Sequence, residues 1–427
     1  MQNRTAPSPW QNRAELLQSI LGALIGRLRG SNRASRLVWN KPRFGNRDGV
    51  GTHGSHDGCP TILAALIFLI INGAGLAIGS TNDSVAQASW RLPRTNLLVY
   101  HGRDGEILPV KSPANWQMRR AEILQGFQQI AGTLPGREKR CALDARIEHQ
   151  KDCGGFEQRC ITYASEPGSR VPAYLLIPKS ALESGTRCPA VLCLHPTDSE
   201  FGNRVVVETL RDNYPAYARE LTERGLVTLS PAYPLLANYQ PKLKALGWQS
   251  GTLKAVWDNI RGLDLLETLS FVKHGSYGAI GHSLGGHNAI FTAVFDSRIK
   301  VVVSSCGFDS FLDYYGGDPS NWQPGRGWCQ TRYMPRLADY CGRLAEIPFD
   351  FHELVGALAP RPIFVNAPLG DDNFKWRSVD AVVKSASTVY QLYGVPGNLT
   401  VAHPDCAHAF PRDEREQAYH LLLEALR

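Results

Sequence analysis

The stretch YGAIGHSLGGHN, residues 277–288, contains the most informative part of the chain, GHSLG at residues 281–285. This G-x-S-x-G pattern lies where a β-branched and aromatic run gives way to a helix-compatible segment, and it is typical of a nucleophile elbow. Glycine is required at both flanks because a Cβ atom there would strike the neighbouring strand or helix, while the serine takes strained backbone angles. Ser283 is therefore the candidate nucleophile.

The segment APLGDDNF, residues 367–374, supplies a candidate acid. It follows the apolar, strand-like run 361–366, and a carboxylate in this loop comes after the serine and before the histidine, the expected order along the chain. Asp371 is the preferred acid because D-x-x-(apolar) is the usual form of this loop. Asp372 is the alternative.

The segment HPDCAHAFP, residues 403–411, supplies two candidate bases, His403 and His408. We prefer His408, because it lies in the loop beyond the last strand-like run, in an H-x-F setting before the final helix, whereas His403 sits nearly on the strand. A serine hydroxyl is a poor nucleophile near neutral pH, so an imidazole must accept its proton during attack. Asp371 would hold that imidazole in the right tautomer and stabilise the imidazolium.

An oxyanion formed at the reacting carbonyl requires two further hydrogen-bond donors. Leu284, the residue after the nucleophile, provides the first backbone N–H. The second is expected from LHPTD at residues 194–198, after the apolar run 189–192. Pro196 has no N–H, so Thr197 or a neighbour must donate.

With these motifs, the chain from about Cys141 to its C-terminus resembles the α/β-hydrolases, in particular the dienelactone-hydrolase and acetyl-xylan-esterase-like group that is related to prolyl-oligopeptidase catalytic domains. The resemblance is carried by GHSLGG, LHPT, APLGDDNF, CAHAFP and WDNIR. It implies a serine hydrolase with the triad Ser283, Asp371 and His408 and with no cofactor. Two departures exist: dienelactone hydrolases have a cysteine nucleophile, and close acetyl xylan esterases have glutamine where this chain has Leu284.

The pattern of the remaining chain favours an α/β fold with a mostly parallel sheet and helices on both faces. Strand-like runs are predicted at 158–164, 171–178, 189–195, 226–231, 277–281, 300–305, 362–367 and 399–403. Helices are predicted at 205–224, 252–273, 284–295, 378–393 and 412–426 by apolar residues at three- and four-residue spacing.

An aromatic-rich insertion is predicted between the sixth and seventh strands, from Gly307 to Pro360. Its aromatic side chains either line the mouth of the active site, where they would contact a sugar ring or an acyl group, or simply pack the insertion onto the sheet. The residues concerned are Tyr314, Tyr315, Trp322, Trp328, Tyr333 and Tyr340.

The first ninety or so residues have a different composition. Residues 61–79 carry no charge, basic residues precede them, and Ala86-Gln87-Ala88 matches a small-x-small cleavage site. We expect a basic leader with a signal peptide or membrane anchor at 1–88, a helical appendage at 89–140, and a catalytic domain at 141–427. Export to the periplasm or outside the cell is the favoured location, and a membrane anchor with the catalytic domain outside is the alternative.

The net charge of +7 comes mainly from residues 1–88, which contribute +5, so the rest of the chain gives no reason to expect a nucleic acid partner. Neither metal-ligand spacing nor a phosphate-binding loop is present. Nine of the ten cysteines follow the leader core, and in an exported protein Cys153 and Cys160 are candidates for a disulfide.

These observations predict an exported serine hydrolase that cleaves carboxylic esters of a small molecule or polysaccharide, such as acetyl xylan, through an acyl-enzyme. One alternative is a prolyl-oligopeptidase-type peptidase, but about fifty residues between leader and hydrolase are too few for a propeller. The other is a non-catalytic binding protein on a hydrolase scaffold.

Overall fold

The computed structural model describes residues 91–427, apart from residues 184 and 186. The predicted leader, its uncharged segment 61–79 and the cleavage site at Ala88 lie outside these residues. Within the described part of the chain, none of the helices has the length and apolarity needed to cross a membrane.

A nine-stranded sheet forms the centre of the protein, with the strand order β11-β10-β9-β8-β6-β7-β5-β4-β3. Strands β6 to β11 are parallel to one another. Strand β5 pairs antiparallel with β7, and β3, β4 and β5 form an antiparallel edge. A separate hairpin joins β1 and β2. The strands are β1 Val99–His101, β2 Ile107–Pro109, β3 Arg146–Asp152, β4 Phe156–Glu166, β5 Ser169–Pro178, β6 Cys188–Leu194, β7 Val227–Pro231, β8 Val272–His282, β9 Ile299–Ser305, β10 Ile363–Asn366 and β11 Leu399–Ala402.

Helices cover both faces of this sheet. Successive residues of β6 show the division, because Leu192 packs in one apolar cluster and Val191 in another, on opposite sides. The predicted fold class, a mostly parallel sheet with helices on both faces, is confirmed. The helices are α1 Pro113–Ala131, α2 Lys179–Glu183, α3 Tyr217–Thr222, α4 Gly251–Leu266, α5 Leu284–Phe295, α6 Phe351–Gly356, α7 Trp376–Leu392 and α8 Arg412–Leu426.

Two predicted helices are wrong in extent. The single helix predicted over 205–224 is replaced by two short elements, a 3-10 helix at Gly202–Val206 and α3. Pro215 lies between them and prevents one continuous helix. The helix predicted to reach residue 273 ends at Leu266, since Val272 already belongs to β8 and pairs with Cys188.

Strand β3 was not predicted, because it shows no apolar alternation. All seven of its residues are exposed, and its sequence RIEHQKD is typical of a charged edge strand that discourages pairing with other chains. Cys153 and Cys160 are both free thiols, so the suggested Cys153–Cys160 disulfide is wrong.

The segment that precedes β3 packs against the insertion through buried ion pairs. Arg119 of α1 lies 2.9 Å from Oε1 of Glu353 in α6, and Arg91 also pairs with this carboxylate. Arg94 donates to Asp350, the residue that caps α6, at 2.9 Å. Glu353 and Asp350 are fully buried, so these contacts hold the start of the described chain to the end of the insertion.

The predicted insertion lies between β9 and β10 and contains α6 and five short 3-10 helices. Its aromatic residues divide between the two predicted positions, the packing of the insertion and the cavity wall. Trp322 is fully buried and packs edge-on against Phe311, whereas Tyr314, Trp328 and Tyr333 line a cavity beside Ser283.

Candidate active site

Ser283 occupies a sharp turn between the carboxyl end of β8 and the first residue of α5. Its backbone angles, φ 54° and ψ −120°, lie outside the regions that non-glycine residues normally adopt. The two flanking glycines allow the turn: a Cβ atom on Gly281 would lie 2.1 Å from the backbone of Gly285. A Cβ atom on Gly285 would lie 1.8 Å from the carbonyl oxygen of Leu194 in β6.

Asp371 and His408 are in direct contact, although 37 residues separate them in sequence. His408 Nδ1 lies 2.8 Å from Asp371 Oδ2, while Asp371 Oδ1 accepts the N–H groups of Asn373 and Phe374. Burial raises the pKa of Asp371, but these hydrogen bonds and the nearby histidine outweigh it and hold the pKa below its usual value. The carboxylate is therefore ionised at neutral pH and keeps the hydrogen of His408 on Nδ1.

The alternative candidates lie elsewhere. The side chain of Asp372 is fully exposed and points toward Lys375 at 3.4 Å. His403, at the end of β11, has Nδ1 2.7 Å from the carbonyl of Ala367 and Nε2 2.9 Å from Asp380. Neither residue joins Ser283, Asp371 and His408.

The ring of His408 also lies 4.9 Å, centroid to centroid, from the ring of His282. Since His282 precedes Ser283, this contact places His408 beside the elbow. His282 is fully buried, and burial, with a smaller effect of His408, lowers its pKa to about 3. His282 is therefore neutral and adds no charge beside His408.

Among the described residues, one cluster could offer ligands to a metal ion: Cys306, Asp371 and His408 have ligand atoms within 4.8 Å of one another. Burial raises the pKa of the Cys306 thiol well above its usual value, so the thiol stays protonated. It donates to the carbonyl of Ala409 at 3.3 Å. A protonated thiol is a poor metal ligand, and the other two groups already bind each other.

The loop after β6 brings Thr197 to the cavity that Ser283 and Leu284 line. His195 fixes this loop: its Nε2 accepts the N–H of Tyr233 at 2.9 Å, and its Nδ1 lies 2.7 Å from the carbonyl of Pro196. Burial lowers the pKa of His195 to about 4, so the ring is a neutral structural group.

The cavity beside Ser283 measures about 110 Å³. Among the described residues, no lysine, arginine or carboxylate lines it, and the insertion supplies much of its wall. The Tyr333 hydroxyl lies 2.9 Å from Thr197 Oγ1, which links the insertion to the loop after β6. The lining residues are Thr197, Ser283, Leu284, His287, Tyr314, Gly327, Trp328, Gln330, Tyr333, Asn373 and Phe374.

Two buried polar atoms in this lining have no hydrogen-bond partner among the residues that the structure describes: Nε2 of His287 and Nε1 of Trp328. His287 Nδ1 lies 3.0 Å from the carbonyl of Gly307, so Nδ1 carries the hydrogen and Nε2 is an acceptor. Burial lowers the pKa of His287 to about 3, so the ring is neutral. Trp328 Nε1 is a donor, and the two rings lie 4.6 Å apart.

Sequence reasoning did not identify His287 as a site residue, although a signal was present. The residue follows Ser283 by four positions, about one helical turn, so the elbow sequence directs both side chains toward the same side of α5. His282 was also missed. Its position inside the G-x-S-x-G pattern carries no chemical requirement of its own.

The parallel sheet, the elbow and the acid–histidine pair at the carboxyl ends of the strands define an α/β-hydrolase, and the chain belongs to that superfamily. A family model described as glucuronyl esterase, fungi, matches residues 246–394, from α4 through the elbow and the insertion to α7.

Two curated proteins show how far the sequence similarity extends. YtaP of Bacillus subtilis (strain 168), described as a hydrolase, is 26% identical over 310 residues, which cover 68% of this chain and 94% of that protein. The 4-O-methyl-glucuronoyl methylesterase 1 of Wolfiporia cocos (strain MD-104) is 22% identical over 309 residues, covering 67% of this chain and 70% of that enzyme.

Among solved structures, a glucuronoyl esterase from Solibacter usitatus superimposes with a TM-score of 0.62 at 19% identity, covering 78% of this chain and 98% of that one. This likeness shows the fold. The sequence matches confirm the predicted class of enzyme: the chain is a serine-type carboxylic ester hydrolase.

Proposed function

We propose that the protein hydrolyses carboxylic esters of carbohydrates through an acyl-enzyme, with Ser283 as nucleophile, His408 as general base and Asp371 as the orienting acid. The observation that carries the proposal is the cavity into which the elbow opens. It combines aromatic walls with an acceptor, His287 Nε2, and a donor, Trp328 Nε1, neither of which has a partner in the part of the chain that the structure describes.

Each step is assigned to Ser283, His408 and Asp371. With its hydrogen on Nδ1 and bound to Asp371, His408 has a lone pair on Nε2 that takes the Ser283 proton as Oγ attacks the ester carbonyl. The imidazolium then gives this proton to the departing alcohol, which leaves an acyl group on Ser283. A water molecule, deprotonated by His408, attacks that acyl group and releases the carboxylic acid.

The negative oxygen of each tetrahedral intermediate needs donors on the side away from His408. We assign these to the N–H of Leu284, at the positive end of the α5 helix dipole, and to Thr197. Thr197 is supported by its place in the cavity lining, next to Ser283 and Leu284.

A sugar is the substrate component that best complements the cavity. A hydroxyl group both donates and accepts hydrogen bonds, so it can pair with Trp328 Nε1 and His287 Nε2 together. The faces of Trp328 and Tyr333 offer apolar surface to the C–H groups of a pyranose ring. The lining residues that the structure describes carry no lysine, arginine or carboxylate, which agrees with an ester group that is neutral until it is cleaved.

We propose a uronic acid ester as the preferred substrate, in which the sugar carries the acyl group. Support comes from the match to the glucuronyl esterase family over residues 246–394, the part of the chain that contains Ser283, Asp371 and the insertion. An acetylated sugar is a second candidate, favoured by the small cavity volume of about 110 Å³, which suits a short acyl group.

A single substrate panel separates these candidates. The purified protein is assayed with methyl glucuronate, acetylated xylan, p-nitrophenyl esters of graded chain length and a proline-containing amide. We expect the highest kcat/KM for methyl glucuronate. Preference for acetylated xylan would establish the second candidate. Cleavage of the amide alone would favour a peptidase, for which residues 91–140 provide only a short hairpin, one α-helix and one turn of 3-10 helix.

A covalent probe tests the mechanism. A fluorophosphonate should label the protein once, at Ser283, and labelling should disappear in Ser283→Ala and fall steeply in His408→Ala. His403→Ala is the matched control and should label normally. Full ester hydrolysis by Ser283→Ala would contradict the proposal, and loss of hydrolysis on treatment with a chelator would favour a metal-dependent mechanism.

We also infer that the protein acts outside the cytoplasm, because of the uncharged segment 61–79 and the cleavage pattern that ends at Ala88. N-terminal sequencing of the protein from its native host should find a start near Ser89. A cytoplasmic protein that still contains residues 61–79 would contradict this inference.

A further inference from the structure

Three polar side chains form a row across the carboxyl ends of three neighbouring strands. His282, Ser305 and Asn366 are the last residues of β8, β9 and β10, and they face one another in the strand register. All three are fully buried. Ser305 Oγ lies 2.9 Å from His282 Nδ1 and 2.8 Å from Asn366 Nδ2, so side-chain hydrogen bonds join the strand ends beneath the elbow.

The row reaches the histidine loop at both of its ends. Asn366 Nδ2 donates to the carbonyl of Ala409, the residue after His408, at 2.9 Å. At the other end, the His282 ring lies against the His408 ring at 4.9 Å. One end of the row is therefore covalently next to Ser283, and the other holds the backbone that carries His408.

This arrangement costs stability. Nε2 of His282 and Oδ1 of Asn366 are buried without a hydrogen-bond partner among the described residues. Leaving such groups unpaired is unfavourable, and an apolar side chain of the same shape would avoid the penalty. Apolar residues would stabilise the fold better at these positions. The polar row therefore points to a different purpose, which is to fix the position of the His408 loop relative to the elbow.

We propose that His282, Ser305 and Asn366 are positioning residues that hold the loop of His408 in register with Ser283. None of the three lines the cavity, so they act through His408 and not on the substrate. The proposal rests on the assignment of Ser283 and His408 as nucleophile and base. Without the row, the Ala409 carbonyl keeps only the weaker thiol donor of Cys306, and His408 spends less time aligned with Ser283.

Two neighbouring serines of β9 provide a matched pair of variants. Ser305→Ala removes the centre of the row, whereas Ser304→Ala removes a buried hydroxyl that has no hydrogen-bond partner among the described residues. We expect Ser305→Ala to lower kcat for p-nitrophenyl acetate by roughly 10- to 100-fold, the usual cost of a small misplacement of catalytic groups. KM should stay the same, and Ser304→Ala should leave both constants unchanged.

A second variant separates positioning from stability. Asn366→Leu replaces the amide by an apolar group of similar shape, so the melting temperature should hold or rise while kcat and the rate of fluorophosphonate labelling fall. The proton on His408 Nδ1 gives a spectroscopic measure, because its strongly downfield resonance should weaken or disappear as the loop moves. If Asn366→Leu does not fold, the kcat and the downfield proton of Ser305→Ala test the positioning role.

The outcomes distinguish this proposal from the proposed function. If Ser283→Ala is inactive while Ser305→Ala and Asn366→Leu keep the kcat and the downfield proton of the unmodified protein, the positioning role is overturned and the esterase mechanism stands. If Ser283→Ala keeps full activity, the proposed function itself fails. A loss of kcat in Ser304→Ala equal to that in Ser305→Ala would also overturn the positioning role.

Discussion

His408 Nδ1 lies 2.8 Å from Asp371 Oδ2, whereas the next carboxylate along the chain, that of Asp372, is fully exposed to solvent. Two chemically identical neighbours therefore have different surroundings. Asp371 turns into the protein because two backbone N–H groups of its own loop bind its other oxygen.

We predict that Asp371→Asn lowers kcat by about 10⁴-fold, the size of the loss in a serine protease whose acid is replaced by its amide, because the histidine then adopts the wrong tautomer. Asp372→Asn is the matched control and should change kcat little. Steady-state kinetics on p-nitrophenyl acetate measures both variants. Reversed effects would mean that the other carboxylate serves as the acid.

The contact between Gly285 and Leu194 predicts a strict requirement for glycine. A Cβ atom at Gly285 would lie 1.8 Å from the carbonyl oxygen of Leu194, and the other near atoms are also backbone atoms, of Leu194 and His195, which leaves no simple relief. Gly285→Ala should therefore give either insoluble protein or folded protein without fluorophosphonate labelling. Gly397→Ala, where no atom lies within 4 Å of the new Cβ, is the control. Normal labelling of Gly285→Ala would contradict the elbow geometry.

The unpaired acceptor of His287 predicts an effect that depends on the substrate. In His287→Leu, a sugar hydroxyl would keep the Trp328 donor but bury its own hydrogen without an acceptor, which costs about 1–3 kcal/mol and lowers kcat/KM roughly 5- to 150-fold. Hydrolysis of p-nitrophenyl acetate, which brings no hydroxyl, should change much less. Comparing the two substrates in His287→Leu, with His403→Leu as control, measures the difference. Equal losses on both substrates would argue against contact with a hydroxyl.

Buried neutral histidines predict that the protein loses stability in mild acid. Burial lowers the pKa of His195 to about 4 and of His282 and His287 to about 3, from 6.5. Below pH 6.5 the unfolded chain binds protons that the folded chain excludes, so stability falls as pH falls. Each histidine costs about 2 kcal/mol at pH 5, at 1.36 kcal/mol per pKa unit.

The buried carboxyl of Asp309 works in the opposite direction. Burial raises the pKa of Asp309 from 3.8 to about 8, so the folded chain holds a proton there that the unfolded chain releases, and stability falls as pH rises toward 8. Three histidines outweigh one aspartate below pH 6.5. Urea unfolding as a function of pH should show a shallower acid limb in His287→Gln and an unchanged one in His420→Gln, whose side chain is exposed. Stability that is constant from pH 7 to 5 would contradict this prediction.

The fold and the pairing of Asp371 with His408 were accessible from sequence because each depends on local pattern and chain order. Buried parallel strands are apolar throughout, and the elbow has a glycine requirement that short-range sterics impose. The prediction of one helix over 205–224 is wrong because apolar spacing was given more weight than Pro215, although proline in a helix interior removes a backbone hydrogen bond and clashes with the preceding turn. Strand β3 carries no apolar alternation, so only its pairing with β4 reveals it.

Contacts made by distant segments could not be derived in the same way. The row formed by His282, Ser305 and Asn366 exists because the sheet places three strand ends side by side, and nothing in any one strand indicates the register. Likewise, the role of His287 depends on Trp328, which the insertion brings to it from 41 residues further along the chain.

The ion pairs that join Arg91 and Arg119 to Glu353 set a condition for protein engineering with this chain. Exchanging the insertion for that of another hydrolase would move the buried carboxylate away from its two arginines, and an uncompensated buried charge typically costs about 3–5 kcal/mol. In a chimaera, residues 91–131 and 307–360 should therefore come from the same parent protein. An attempt to change substrate preference should exchange both segments, because the insertion that lines the cavity depends on residues 91–131 for its buried ion pairs.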